Sequence, residues 1–238
     1  MLEIDGLTVR FDGIEALRDL TLAVPTGTRI GVLGPNGSGK TTLFNAISGL
    51  VGRTAGTIRL DGQAISSLAP HHIAAAGVAR TFQAVRLFQR LSALDNVLPA
   101  RGPAAATARK ARQNALAALD AVGLGAQRDT LAGDLTFFEQ RRLEIARAIA
   151  QQPRLLLADE PTGGLSQAES DHVVDLLAHA FGAETTILLI EHKITIVEAL
   201  CPRSLLLAEG RLISDAATRE MLRDHRLASV YFGSRLAP

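Results

Sequence analysis

A lone cysteine, Cys201, rules out an intrachain disulfide framework and suits a reducing compartment. It sits in the apolar run "EALCPRSLLLA", where a thiol reads as a small buried hydrophobe rather than a nucleophile. Long apolar runs are also missing. Stretches such as "LLLA" are of strand length, far short of the roughly 18 residues that cross a bilayer. The N-terminus "MLEIDGLTVRF" has no basic stretch followed by an apolar one, so no signal peptide is expected. The expected chain is soluble, which still permits docking onto a membrane protein. Net charge is only +1, and neither an acidic nor a basic tail interrupts the mixed signs. That argues against nucleic acid as a partner. Internal repeats and low-complexity linkers are absent. Lysine occurs only at Lys40, Lys110 and Lys193, with arginine used elsewhere, so Lys40 stands out.

What is present is enough for a sizeable core: 238 residues, 47% of them hydrophobic. "LEIDGLTVRF" and "LTLAV" alternate apolar and polar residues, as half-exposed strands do. "RIGVLG", "RLLLADE", "TTILLIEH" and "RSLLLAEG" are compact apolar runs and read as buried strands. "GPNGSGKTTLFNAISGL" passes from a glycine loop into a helix that ends near Gly49. "GTIRLDG" predicts a strand and turn, and "HHIAAAGVARTFQ" a short helix followed by a strand over Val78–Phe82. From Ala84 to about Gln152 alanine, leucine and arginine dominate with helical spacing; "AAATARKARQNALAALDAVGL" is a helix closed by Gly123. "QAESDHVVDLLAHAFG" is a further helix. The alternation predicts an α/β core with a largely parallel sheet, helices on both faces and an inserted helical sub-lobe.

The chemistry concentrates at strand ends. "GPNGSGKTT", comprising Gly34, Pro35, Asn36, Gly37, Ser38, Gly39, Lys40, Thr41 and Thr42, fits G-x-x-x-x-G-K-[ST] between a strand and a helix. Its glycines let backbone N–H groups curl around a phosphate chain, and the helix start adds partial positive charge. Lys40 would reach the β/γ-phosphates and the Thr41 hydroxyl would bind Mg²⁺. In "LLLADE", an apolar strand ends in Asp159 and Glu160. Burying such charge is costly, and a role beside the phosphate loop would justify it: Asp159 holding Mg²⁺, Glu160 orienting or deprotonating an attacking water. "LLIEH" ends in His192 after another buried strand. A lone histidine there is usually structural; the order of strand ends favours a γ-phosphate contact. Gln83 closes the predicted strand Val78–Phe82, within reach of the metal or the water. Phe11, at a strand-to-turn edge, suits stacking on an adenine face and equally an exposed or core position.

In "LTFFEQRRLEIARAIA", Leu135 to Ala150, Thr136-x-x-Glu139 is a capping box that starts a helix whatever its function.

Together, "GPNGSGKTT", "RTFQ", "QRRLEIARA", "LLLADEPT" and "LLIEH", in that order and over nearly the whole chain, resemble the ATP-binding cassette (ABC) ATPases. The resemblance implies a P-loop NTPase fold: one domain over 1–238 with a RecA-like core, an antiparallel β lobe and a helical sub-lobe at about 84–152. It implies ATP and Mg²⁺ as ligands and ATP hydrolysis coupled to transport. Two cassettes sandwich two ATP molecules, each site borrowing the signature helix of the other subunit. Transmembrane permease subunits, a second cassette (as homo- or heterodimer) and, indirectly, a substrate-binding protein become the expected partners, with the chain at the cytoplasmic face of the membrane. Phe11 matches the adenine-stacking position, Gln83 the Q-loop, Asp159 and Glu160 the second nucleotide motif, and His192 the switch histidine. The segment after Gln83 and the helical lobe match the surface that grips the membrane subunit. "RTFQAVRLF", "QRRLEIARA", "LLIEHK" and the ending "ASVYFG" are similar to branched-chain amino-acid importer ATPases, whose relatives also handle urea and short amides.

Three places depart from the family. The signature Leu-Ser-x-Gly-Gln reads Leu135-Thr136-Phe137-Phe138-Glu139. Ser166 stands where Asp or Asn is usual, and Lys193 where Asp is common. Thr136 keeps the hydroxyl that the family's serine offers to γ-phosphate. Phe138 replaces a glycine that allows close approach, and Glu139 adds negative charge. The resemblance therefore implies a complete home site and a weakened partner site in an asymmetric heterodimer. The alternative is a hydrolysis-impaired regulatory or scaffolding cassette that binds ATP. A DNA-repair or translation ABC ATPase would carry tandem cassettes or coiled-coil insertions, and a small-molecule P-loop kinase would not need the signature helix or His192.

Overall fold

In β1 (Leu2–Phe11) every buried residue is apolar: Leu2, Ile4, Leu7 and Val9 point inward. This is the alternation the sequence predicts. A computed structural model of the chain describes residues 1–99, 107–224 and 226–227. The ending "ASVYFG" and the first residues of the helix predicted from Ala104 lie outside them. After β1 come β2 (Ile14–Val24), β3 (Arg29–Leu33), α1 (Lys40–Ile47), β4 (Ala55–Leu60), β5 (Gln63–Ala64), α2 (Pro70–Ala75) and β6 (Val78–Arg80). Then follow α3 (Ala93–Val97), α4 (Ala108–Ala121), α5 (Phe137–Ala150), β7 (Leu155–Asp159) and α6 (Gln167–His179). The described chain closes with β8 (Thr186–Ile190), α7 (Ile194–Leu200), β9 (Arg203–Ala208), β10 (Arg211–Ala217) and α8 (Thr218–Arg223).

These residues form two units, one of Met1–Ile73 with the described residues from Thr186 onward, the other of Ala74–Thr185. The first holds an antiparallel sheet in the order β2-β1-β4-β5. Its two tight hairpins, at Asp12-Gly13 and Asp61-Gly62, have both turn residues at positive φ, the geometry that matches strand twist. The same unit places β3 between β8 and β9, parallel to both, with β10 antiparallel to β9. Packing over β3 is tight: a Cβ on Gly31 would lie 2.6 Å from a Val197 methyl of α7.

In the second unit β6 and β7 pair in parallel, Val78 opposite Leu155 and Arg80 opposite Leu157. Helices α3, α4 and α5 pack on one another. Ala111, Ala115, Ala118 and Leu119 of α4 and Leu143, Ala146 and Ala150 of α5 are buried.

The strand expected over Val78–Phe82 is shorter than predicted. It ends at Arg80 because Phe82 gives its backbone bonds to side chains of α5 instead of a strand neighbour. Neither α7, α8 nor the edge strand β10 was anticipated.

Candidate functional site

In the first unit the glycine loop leaves β3 at Gly34. There φ is 147°, and a Cβ would sit 2.2 Å from the Leu207 carbonyl oxygen, so only glycine fits. The loop turns into α1 at Lys40. Ser38 is 2% exposed, and its Oγ has no hydrogen-bond partner among the described residues. Lys40 is 8% exposed and curls back over the loop, donating from Nζ to the carbonyls of Gly34 at 2.6 Å and Pro35 at 2.9 Å. Gly39, the N-cap of α1, supplies no side-chain bond, and the first turn carries no acid. Pro35, Asn36, Gly37, Thr41 and Thr42 complete the loop, with Asn36, Gly37 and Thr41 exposed. An orphaned buried hydroxyl, a lysine on a short tether and an uncapped helix start suit a phosphate chain.

Because β8 runs parallel to β3, His192 follows the carboxyl end of the strand beside the one that feeds the loop. His192 is exposed, and its backbone N–H donates to the Glu191 carboxylate at 3.1 Å. Phe11 is 45% exposed beside the Asp12-Gly13 turn, which rules out the core position. Cys201 is 1% exposed, and burial pushes its thiol up to about 12, as befits a buried hydrophobe.

The second unit gathers Gln83, Asp159 and Glu160. Thr81 extends the β6–β7 ladder by one step: its N–H donates to Leu157 O at 3.0 Å, and its hydroxyl accepts from Asp159 N–H at 3.3 Å. Beyond it the chain departs, and the Gln83 amide nitrogen donates to Glu160 Oε2 at 3.0 Å. The Glu160 backbone has φ 47°, a left-handed conformation that costs a non-glycine residue on the order of 1–3 kcal/mol and clusters at functional positions. Asp159, 3% exposed, is paired with Arg80 at 2.9 Å. This is the counter-charge that permits a buried carboxylate at the strand end. Burial lowers the Arg80 pKa and the Asp159 carboxylate opposes it; the guanidinium stays charged. Sequence reasoning assigned Arg80 no role; its position in "RTFQ", two residues before the chain leaves the sheet, was the only signal.

Helix α5 carries the altered signature, and its start is turned in on itself. The Thr136 hydroxyl accepts from Glu139 N–H at 3.3 Å, and the Glu139 carboxylate accepts from Thr136 N–H at 2.8 Å. The predicted capping box is thus complete. The Thr136 hydroxyl proton also goes to Glu139, at 2.9 Å, so it is already committed. These bonds, the backbone N–H first, hold the Glu139 carboxyl below its ordinary value. Phe138 lies against His172 of α6, rings 5.6 Å apart and edge to face, with the Arg142 guanidinium 4.7 Å from its centre. The exposed ring is that of Phe137, 49% accessible. Leu135 is buried and its carbonyl accepts from Gln140 at 3.0 Å. Ser166 has its own work as the capping residue of α6, reciprocated by Glu169.

Known proteins similar to this chain agree in fold and family. A crystal structure of MJ1267, an ATP-binding cassette of an ABC transporter, in its ADP conformation superposes with a TM-score of 0.86 at 23% identity over 98% of both chains. That defines the fold as the P-loop NTPase fold of an ATP-binding cassette. A dimeric structure of the cassette MJ0796 covers 92% of this chain and 99% of its own, with a TM-score of 0.79 and 27% identity. The ABC transporter family model matches residues 17–163. The high-affinity branched-chain amino acid transport ATP-binding protein BraF of Pseudomonas aeruginosa is 38% identical over 94% of each chain. LivG of Escherichia coli K12, a protein of the same description, is 34% identical over 98% of each. The lipopolysaccharide export ATP-binding protein LptB of the same strain is also 34% identical, over 98% of this chain and 97% of its own. The chain belongs to the ABC transporter ATP-binding proteins: it is an ATPase, and the ATP-binding subunit of such a transporter.

Proposed function

We propose that the chain energises an importer of branched-chain or other amino acids, or of urea or short amides, from the cytoplasmic face of the membrane. The amino-acid assignment rests on the likeness to BraF and LivG; LptB, which serves export, is the competing relative. Among the described residues no helix is long and apolar enough to cross a membrane, so permease subunits would supply the path. We propose a single cassette over 1–238 with its helical sub-lobe at about 84–152.

The observation that carries the nucleotide reading is the uncapped start of α1 beside Ser38 and Lys40. The N–H groups from Gly34 to Thr42 would cradle the phosphates, with Lys40 on the β- and γ-phosphates and His192 on the γ-phosphate. Phe11 would stack on adenine. The Thr41 hydroxyl, the Asp159 carboxylate and the Gln83 amide oxygen are hard oxygen donors of the kind Mg²⁺ takes. No group of three His, Cys, Asp or Glu among the described residues is arranged to hold a metal alone, which fits an ion that arrives with phosphate. Mg²⁺ would neutralise charge on the phosphates, while Glu160 orients or deprotonates the attacking water.

The signature Leu135–Glu139 would face the ATP of a second cassette. With the Thr136 hydroxyl donating to Glu139, it offers that ATP little, which supports an asymmetric pair in which this chain's own site is the competent one. The same observation favours a second reading, a regulatory cassette that binds ATP and turns it over slowly. Glu160→Gln in the assembled transporter separates them. Turnover should fall about 10²-fold or more with nucleotide affinity kept; unchanged turnover would leave only the regulatory reading.

A further inference from the structure

We propose that Arg141 and Glu144 of α5 are positioning residues that set Gln83 against Glu160, so that the signature helix and Gln83 move as one body. The inference rests on the reading that Gln83 and Glu160 serve hydrolysis.

Four bonds carry it. Arg141 Nη1 donates to the Phe82 carbonyl at 2.8 Å, and Nη2 to the Gln83 carbonyl at 2.9 Å. Glu144 accepts the Phe82 N–H at 3.1 Å and pairs with Arg141 at 2.9 Å. The two side chains are 1% and 3% exposed. One turn later Arg147 donates to the Arg86 carbonyl at 2.5 Å and prolongs the grip.

Stability alone is a poor reason for such a pair. Replacing a buried ion pair by packed apolar residues is often neutral or better. Position is a better reason. The chain has left β6, so the half-buried Phe82 and the exposed Gln83 have no strand to hold their backbone groups, and the partly buried bonds from α5 take that place. Arg141 is suited to the task because its planar fork spans two successive carbonyls, which a lysine cannot do. The Gln83 side chain is exposed and reaches Glu160 from a backbone whose carbonyl Arg141 holds. Misplacing a reacting group by about 1 Å can cost on the order of 10²-fold in rate. The helix that starts at Phe137, at the signature, is the helix that supplies both gripping side chains. A shift of its first turn is therefore passed to Gln83 over about one turn of helix, from Phe137 to Arg141.

The test is the double variant Arg141→Met/Glu144→Leu in the assembled transporter, read by steady-state ATP turnover, binding of a fluorescent ATP analogue, and thermal unfolding. We expect kcat to fall about 10- to 100-fold, with KM and analogue affinity within about twofold; the unfolding midpoint should drop, because the Phe82 and Gln83 backbone groups lose their partners, but stay above the assay temperature. In a Gln83→Ala background the same pair should cause little further loss, because it acts through Gln83. Unchanged kcat, or a loss that adds in full to that of Gln83→Ala, overturns the proposal. Should the double variant fail to fold, Arg141→Lys and Glu144→Gln take its place. The lysine should lose most of the rate; the glutamine, which still accepts the Phe82 N–H, should keep more of it. The reverse order overturns the proposal. Glu160→Gln run alongside separates the two failures: if it too leaves turnover intact, the reading of Gln83 and Glu160 has failed and not the positioning.

Discussion

Arg80 and Asp159 form an ion pair at 2.9 Å with side chains only 7% and 5% exposed, at the ends of two strands paired in parallel. Arg80 lies opposite Leu157, so Asp159 is two residues further along β7 on the same side. The carboxylate proposed for Mg²⁺ is thus held by a cation of its own chain.

Removing one partner of a buried pair leaves the other's charge poorly compensated. Arg80→Met should cost about 3 kcal/mol of stability and lower the unfolding midpoint by roughly 6–12 °C for a chain of this size. A calorimetric scan checks it. A midpoint within a degree of the parent would mean that the remaining contacts of Asp159 suffice.

Two glycines of the loop should respond differently to alanine. At Gly34 the new methyl would meet the Leu207 carbonyl at 2.2 Å, whereas at Gly37, φ 78°, it would meet nothing within 4 Å. Gly37→Ala carries only the left-handed backbone cost of about 1–2 kcal/mol. Gly34→Ala adds a clash with backbone and should lose several kcal/mol or fail to fold. Equal unfolding midpoints for the two variants would contradict the close approach.

The α5 cap should be acid-sensitive. Glu139 has its folded pKa below the ordinary 4.5 because the Thr136 N–H and hydroxyl favour the carboxylate. A depressed carboxyl pKa contributes stability that is present above the unfolded value and lost as pH falls through the folded one. Thr136→Ala should therefore cost about 1 kcal/mol at pH 7, the usual worth of a cap. That difference should shrink as the solution is taken below pH 4.5 toward the folded value. Urea titrations of both proteins across that range give the result; a difference independent of pH would show that the hydroxyl's bond to the Glu139 carboxylate does not contribute.

Local chemistry was legible and distant chemistry was not. Thr136 and Glu139 sit three apart, and both of their reciprocal bonds form as the spacing predicts. The apolar runs at Leu155–Asp159 and Thr186–Ile190 are buried strands, as such runs require. The end of β6 could not be read, because what ends it is Arg141, 59 positions away from Phe82. Arg141 and Glu144 in sequence look like an ordinary exposed i,i+3 pair, and only packing shows them buried. Phe138 stands where the family has a glycine that allows close approach at the helix start. Arg142, four residues on along α5, is a partner that helical spacing supplies, but His172 of α6 is not; the two hold the ring aside and leave Phe137 outward. The edge strand β10 reads "RLISDAA", with no fully buried position to give it a pattern.

Among the described helices of eight residues or more, α4, α5 and α6 are each closed at the start by a threonine or serine hydroxyl, and α1 is not. A helix without a cap frays unless something else takes its first N–H groups. For α1 the phosphates of the nucleotide are the natural cap, so the ligand becomes part of the helix it binds. Binding and local order are then one equilibrium, and amide protons in the first turn of α1 would exchange more slowly in proportion to nucleotide saturation.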